Sequence, residues 1–101
     1  MATTTSKNLY RGAAATTSQT LYTVPASTTT IVTNVVVTNT ASTAATFTLG
    51  LNGTSLFTTT AIAANATAFI DLKQVLSATQ TVTGLASAVT VNFHIAGVEL
   101  A

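Results

Sequence analysis

The chain has no cysteine and no tryptophan, and one proline and one histidine among its 101 residues. Without cysteine there is no disulfide and no thiol chemistry, and a single imidazole excludes the usual Cys/His structural zinc site. Charge is nearly as scarce. Charged side chains make up 5% of the chain, against about 25% in an average soluble domain. They are Lys7, Arg11, Asp71, Lys73 and Glu99, and none falls from Gly12 to Ile70. A net charge of +1 cannot steer a polyanion, so no nucleic-acid partner is expected. No apolar run approaches the ~18–20 residues of a membrane helix, and MATTTSKNLYRG lacks the apolar stretch of a signal peptide, so no membrane partner is expected. No motif names a reaction, a cofactor or a small-molecule substrate.

What the chain does have is threonine, 25 of its 101 residues, interleaved with Ala and Val. β-Branched side chains fit a pleated surface better than a helix. Period-two alternation recurs. Val89, Val91, Phe93 and Ile95 share one face of a strand near the C-terminus, with Thr90, Asn92, His94 and Ala96 on the other. Phe47, Leu49 and Leu51 alternate likewise, and Asn52-Gly53 then predicts a tight hairpin into TSLF. Ala68, Ile70 and Leu72 alternate with Phe69, Asp71 and Lys73. TTIVTNVVVTN is a long strand whose consecutive valines, Val35 to Val37, demand either a bulge or cover on both faces. SQTLYTV before Pro25 and QTVTGL add strands, with a single helical turn expected from Leu72 to Ser77. Seven to eight short strands at this spacing predict an all-β fold, an antiparallel β-sandwich or jelly-roll-like domain over residues 12–101. Residues 1–11 are expected to form an N-terminal arm, mobile or docked on a partner.

The missing charges bear on setting. Edge strands are ordinarily guarded by charge or proline, and IVTNVVVT has neither, which makes it an aggregation hazard if left open. Either threonine hydroxyls hydrate short edges, or copies of the chain and a larger assembly cover them. The second is the expectation.

Candidate sites are sparse. His94, lying opposite the apolar stripe, is expected at a surface or interface rather than in catalysis. Asp71 and Glu99, the only acids, are not placed together by any pattern, so an enzyme is not expected. Asp71 and Lys73, two apart, suggest a solvated or salt-bridged patch. Lys7 and Arg11 bracket Leu9 and Tyr10, a combination suited to anchoring on a partner or to solubility. The Thr-x-Thr pairs Thr46/Thr48, Thr79/Thr81 and Thr81/Thr83 lack the fixed spacing that matching an ice lattice requires. Asn52-Gly53-Thr54 and Asn65-Ala66-Thr67 fit the glycosylation pattern, though the first is explained by its turn.

NLYRG, TLYTVPASTTTIVTNVVVTNT, FTLGLNGTSL, IDLKQVL, TVTG and VTVNFHIAGVEL together resemble small Thr/Ala/Val-rich virion proteins of tailed bacteriophages. The resemblance covers nearly the whole chain and is most distinctive from Leu21 to Asn39. It implies a non-enzymatic structural protein of the virion, assembled in the host bacterial cytoplasm. The first expectation is a capsid decoration (cement) protein, a homotrimer on the capsid exterior that stabilises junctions between major capsid protein subunits. Lys7, Leu9, Tyr10 and Arg11 would then be its partner-binding residues. A tail, neck or fibre component is the alternative, and a carbohydrate- or host-binding β-module the third.

Overall fold

The computed structural model describes residues 3–101. They form eight antiparallel strands in two four-stranded sheets packed as a sandwich. The strands are β1 (Thr4–Ala13), β2 (Gln19–Thr23), β3 (Thr29–Asn39), β4 (Ala45–Leu51), β5 (Thr54–Ile62), β6 (Thr67–Leu76), β7 (Thr81–Ala86) and β8 (Val91–Leu100). One sheet runs β1-β8-β3-β6 and the other β2-β7-β4-β5. Edge strand β1 lies against edge strand β2, so the other two edges, β6 and β5, fall on the opposite side of the sandwich.

Alternation builds the core. Val91, Phe93 and Ile95 of β8 are fully enclosed, as are Phe47 and Leu49 of β4 and Val82 of β7. Phe47 meets Phe93 edge-on at 6.2 Å across the two sheets and tilts against Phe57 at 6.1 Å. Offset aromatic contacts of this kind add to the area they bury. Gly84 of β7 leaves the room for this packing, since a Cβ there would stand 2.9 Å from both Leu21 and Leu49. The hairpin at Asn52-Gly53 takes positive φ at both residues, 50° and 79°, as its sequence requires.

The valine run of β3 is resolved by a bulge. Ladder register slips between Val32 and Asn34 against both β8 and β6, and between Asn8 and Tyr10 against β8. The extra residue in β3 is Thr33, so Val32 and Val35 both face inward while Val36 faces out. Against β6, Thr33 opposes two residues, Leu72 and Lys73. Three bulges therefore line up across one sheet. Bulges bend a sheet and sharpen its twist.

Two expectations are corrected. Leu72 to Ser77 is not a helical turn: β6 continues as strand through Leu76, and the broken alternation there is the bulge. The N-terminal arm expected over residues 1–11 is, from Thr4 onward, the edge strand β1 paired along β8, so the sandwich reaches back past residue 12. The free edge of β8 supplies the ladder bonds that hold it. Met1 and Ala2 of the expected arm lie outside the described residues.

At the end of the sandwich where β3 finishes, Asn39 is fully buried and completely bonded. Its Nδ2 donates to the carbonyls of Thr43 (2.8 Å) and Ala63 (3.3 Å), and its Oδ1 accepts from Ala41 N (3.1 Å) and Thr90 Oγ1 (3.2 Å). One amide thus ties three connecting loops. Asn39→Ala is expected to lower stability by roughly 2–4 kcal/mol, because the carbonyls of Thr43 and Ala63 lose the donors of a fully buried amide. Asn39→Asp should cost at least as much for the same reason. Urea titration of the three proteins checks this; a loss under about 0.5 kcal/mol for Asn39→Ala would contradict the role.

Candidate functional site

The sheets differ in kind. All five charged residues stand on β1, β6 and β8 of one sheet, as does His94; the β2-β7-β4-β5 sheet carries none. On the charged sheet, cross-strand register aligns the outward side chains in rows. Arg11, His94, Val36 and Phe69 form one row. Asn8, Ala96, Asn34 and Asp71 form the next, and Ser6, Val98, Ile31 and Val75 a third. Phe69 is 79% exposed and Val75 64%, while Val36, Ile31 and Val98 are half-buried. The bulges of β3 and β6 fall between the second and third rows and that of β1 between the first and second, and the surface is hollowed beside them. One depression of about 560 Å³ is lined by Thr33, Asp71, Leu72 and Lys73. Another of about 460 Å³ runs past Lys7, Asn8, Arg11 and Thr33.

The uncharged sheet presents hydroxyls instead. Thr46, Thr48, Thr81 and Thr83 sit half-buried on its outer face. Ser18, Thr48, Thr54, Ser55 and Thr83 rim a dimple of about 280 Å³ floored by glycines. Thr79 lies in the turn before β7 with φ of 71°, outside any strand array. At its free edge, β5 is twice bulged, and Thr59 there adopts φ of 46°, with its N–H given to Thr48 Oγ1 (3.0 Å) rather than to a ladder carbonyl. A β-branched residue in that region is strained. The kink also spoils β5 as a template for pairing.

Of the four residues expected to bind a partner, the structure leaves one free on the surface. Leu9 is turned inward and only 7% exposed, which corrects its role as an anchor. The β1 bulge points it at β8, where Gly97 makes room: a Cβ on Gly97 would lie 2.9 Å from Leu9 Cδ1. Tyr10 is half-buried and donates its hydroxyl to the carbonyl of Ala13 (2.9 Å). Lys7 pairs with Glu99 at 3.2 Å. Arg11 alone stays on the outer face, beside His94.

The two acids are separated. Asp71 faces outward on β6; Glu99 of β8 points inward, and β3 runs between their strands. Glu99 belongs to a polar latch that joins the sheets. Its Oε2 accepts from the Tyr22 hydroxyl of β2 and from Lys7 Nζ of β1, and the Tyr22 hydroxyl also meets Thr30 Oγ1 of β3 at 2.9 Å. The Tyr22 hydrogen bond is the main force holding the Glu99 carboxyl below its ordinary 4.5, with Lys7 assisting against desolvation. Burial, then the bond to Glu99, pushes the Tyr22 phenol above 10.0. Tyr22, Thr30 and Asn39 were not singled out from sequence. Glu99 carried a legible signal: it shares the parity of Val91, Phe93, Ile95 and Gly97, which is the inward stripe.

No triad or larger group of His, Asp and Glu gathers among the described residues in a way that would hold a metal ion. No protein-family model matches the chain, and no curated protein matches it.

The latch sets a pH dependence. A carboxyl lowered by folding adds stability that is present above 4.5 and lost as pH falls through the folded value. A phenol raised by folding adds stability present below 10.0 and lost as pH rises through the folded value. Thermal unfolding against pH should therefore show two falling limbs. Glu99→Gln should flatten the acid limb and Tyr22→Phe the alkaline one; an acid limb unchanged in Glu99→Gln would contradict the latch. Leu9→Ala should cost about 2–4 kcal/mol of folding stability through the cavity it leaves. Denaturant titration reads this directly, and a variant as stable as the parent would return Leu9 to the surface.

Proposed function

We propose that this chain is a non-enzymatic structural protein that works by docking, and that it serves as a capsid decoration protein on a phage particle. The observation that carries the docking reading is the division of labour between the sheets. The outward-facing charges, Arg11, Asp71 and Lys73, and the two most exposed large apolar side chains, Phe69 and Val75, stand on this one sheet, in rows that align Arg11 and His94 with Phe69, and Asn34 with Asp71. Apolar area rimmed by polar groups is the usual make-up of a docking surface. The opposite sheet, clad in threonine and free of charge, suits the side that stays in water. The sandwich measures 49 × 21 × 18 Å, long enough to lie across a junction between two neighbouring subunits.

The assignment to a virion, with the major capsid protein and further copies of the chain as partners, rests on the sequence resemblance. So do the exterior location and a three-fold grouping, which would be imposed by the shell and not by contacts of the isolated chain. On a shell, many weak identical contacts add up, so each copy needs only a modest interface to hold subunits against internal pressure. The test is to purify particles from cells that make this chain and count its copies by quantitative mass spectrometry. Hundreds of copies per particle, lost when Ile31→Lys and Val36→Lys are introduced together on the charged sheet, are expected. A few to a few dozen copies would move the chain to a tail or fibre. No association, with selective retention on a glycan array, would replace the reading with a sugar-binding module at the hydroxyl dimple.

A further inference from the structure

The free edge of the charged sheet carries a self-complementary sequence. In β6, Phe69, Asp71, Lys73 and Val75 are all exposed, in the order apolar, acid, base, apolar about Leu72. Neither Asp71 nor Lys73 has an ion-pair partner within the described residues, where the single ion pair joins Lys7 and Glu99. Ala68, Ile70 and Leu72, packed against the core from this edge, remain only partly buried. Both ladder groups and apolar area are therefore left open along β6.

We propose that two copies of the chain associate through β6, edge to edge and antiparallel, about a two-fold axis at Leu72. In that register each Asp71 stands opposite the partner copy's lysine at position 73, and each Phe69 opposite the partner copy's valine at position 75. The two sheets continue into one of eight strands. An interface of this kind is isologous, so one patch has to complement itself, and the order of residues along β6 does so. The bulge formed by Leu72 and Lys73 against Thr33 falls on the axis, so the irregularity of one strand meets that of the other.

Charge on an edge strand ordinarily forbids pairing. Opposite charges two residues apart do something narrower. Moving the axis to Asp71 sets aspartate against aspartate, and moving it to Lys73 sets lysine against lysine. Like charges directly opposite are unfavourable, opposite charges favourable. The pair thus rejects the neighbouring registers and admits the one centred on Leu72. This contact does not depend on docking to a shell, and it predicts two-fold rather than three-fold association of the isolated protein.

Sedimentation equilibrium and light scattering on the purified full chain, from dilute to high concentration, test it. A reversible dimer of the 10.2 kDa chain is expected. Asp71→Lys and Lys73→Asp should each raise the dimer dissociation constant at least about tenfold, since each puts two like pairs at the axis. The double exchange Asp71→Lys with Lys73→Asp should restore association, because it rebuilds both ion pairs with their signs reversed. Circular dichroism checks that each variant keeps its fold, as is expected for an exposed edge. A monomer at every concentration, a trimer, a dimer indifferent to the single exchanges, or a double exchange that fails to recover would each overturn the proposal.

Discussion

The structure depends on the line of bulges that crosses the charged sheet at Leu9, Thr33 and Leu72–Lys73. Side chains on a strand alternate with a period of two, so one inserted residue exchanges inside for outside beyond it. At this line β1 turns Leu9 into the core and β3 brings both Val32 and Val35 inward. Removed from β3, the bulge would leave either Val32 or the pair Val35 and Val37 facing water. The same line bends the sheet and opens the outer depressions beside Asp71 and Arg11. Core packing and surface shape thus share one cause.

Polar groups act at the two ends of this frame. Asn39 gathers three loops at one end, and Glu99 with Tyr22, Thr30 and Lys7 ties strands of both sheets near the other. Asn39, Thr30 and Tyr22 are bonded polar groups in an otherwise apolar interior, where an unpaired one would be costly, while Glu99 and Lys7 close the latch at its rim. Between them the aromatic contact of Phe47 and Phe93 joins the layers. The remainder of the charge is left on the surface of one sheet. The other sheet manages without any, its outer face hydrated by threonine and its open edge kinked at Thr59.

Much of the architecture was legible in the residues. Val91 to Ile95 and Phe47 to Leu49 alternate cleanly, and Asn52-Gly53 names its own turn, so the strands and the hairpin follow from local chemistry. The N-terminal segment did not read as a strand because Thr3 to Asn8 are all polar and show no alternation; the place of β1 is set by the open edge of β8, a long-range fact. The helical turn expected after Leu72 was a bulge, and a bulge and a turn break alternation in the same way. Leu9 looked like an anchor beside Lys7 and Arg11 because proximity in sequence cannot tell which side of a strand a side chain takes. Glu99 could have been placed inward by its parity alone, but its partner Tyr22 lies 77 residues away and only the fold joins them.

The central claim is that the charged sheet, with its free edge, is the covered surface and the hydroxyl sheet the open one. Among the described residues four large apolar side chains are exposed: Phe69 and Val75 on β6, Leu56 on β5 of the uncharged sheet, and Val89 in the turn before β8. Hydroxyl-radical footprinting reads each of them separately. As protein concentration rises, the reactivity of Phe69 and Val75 should fall several-fold while Leu56 and Val89 keep theirs. Protection confined to Leu56 or Val89, or no protection at any concentration, would contradict the account.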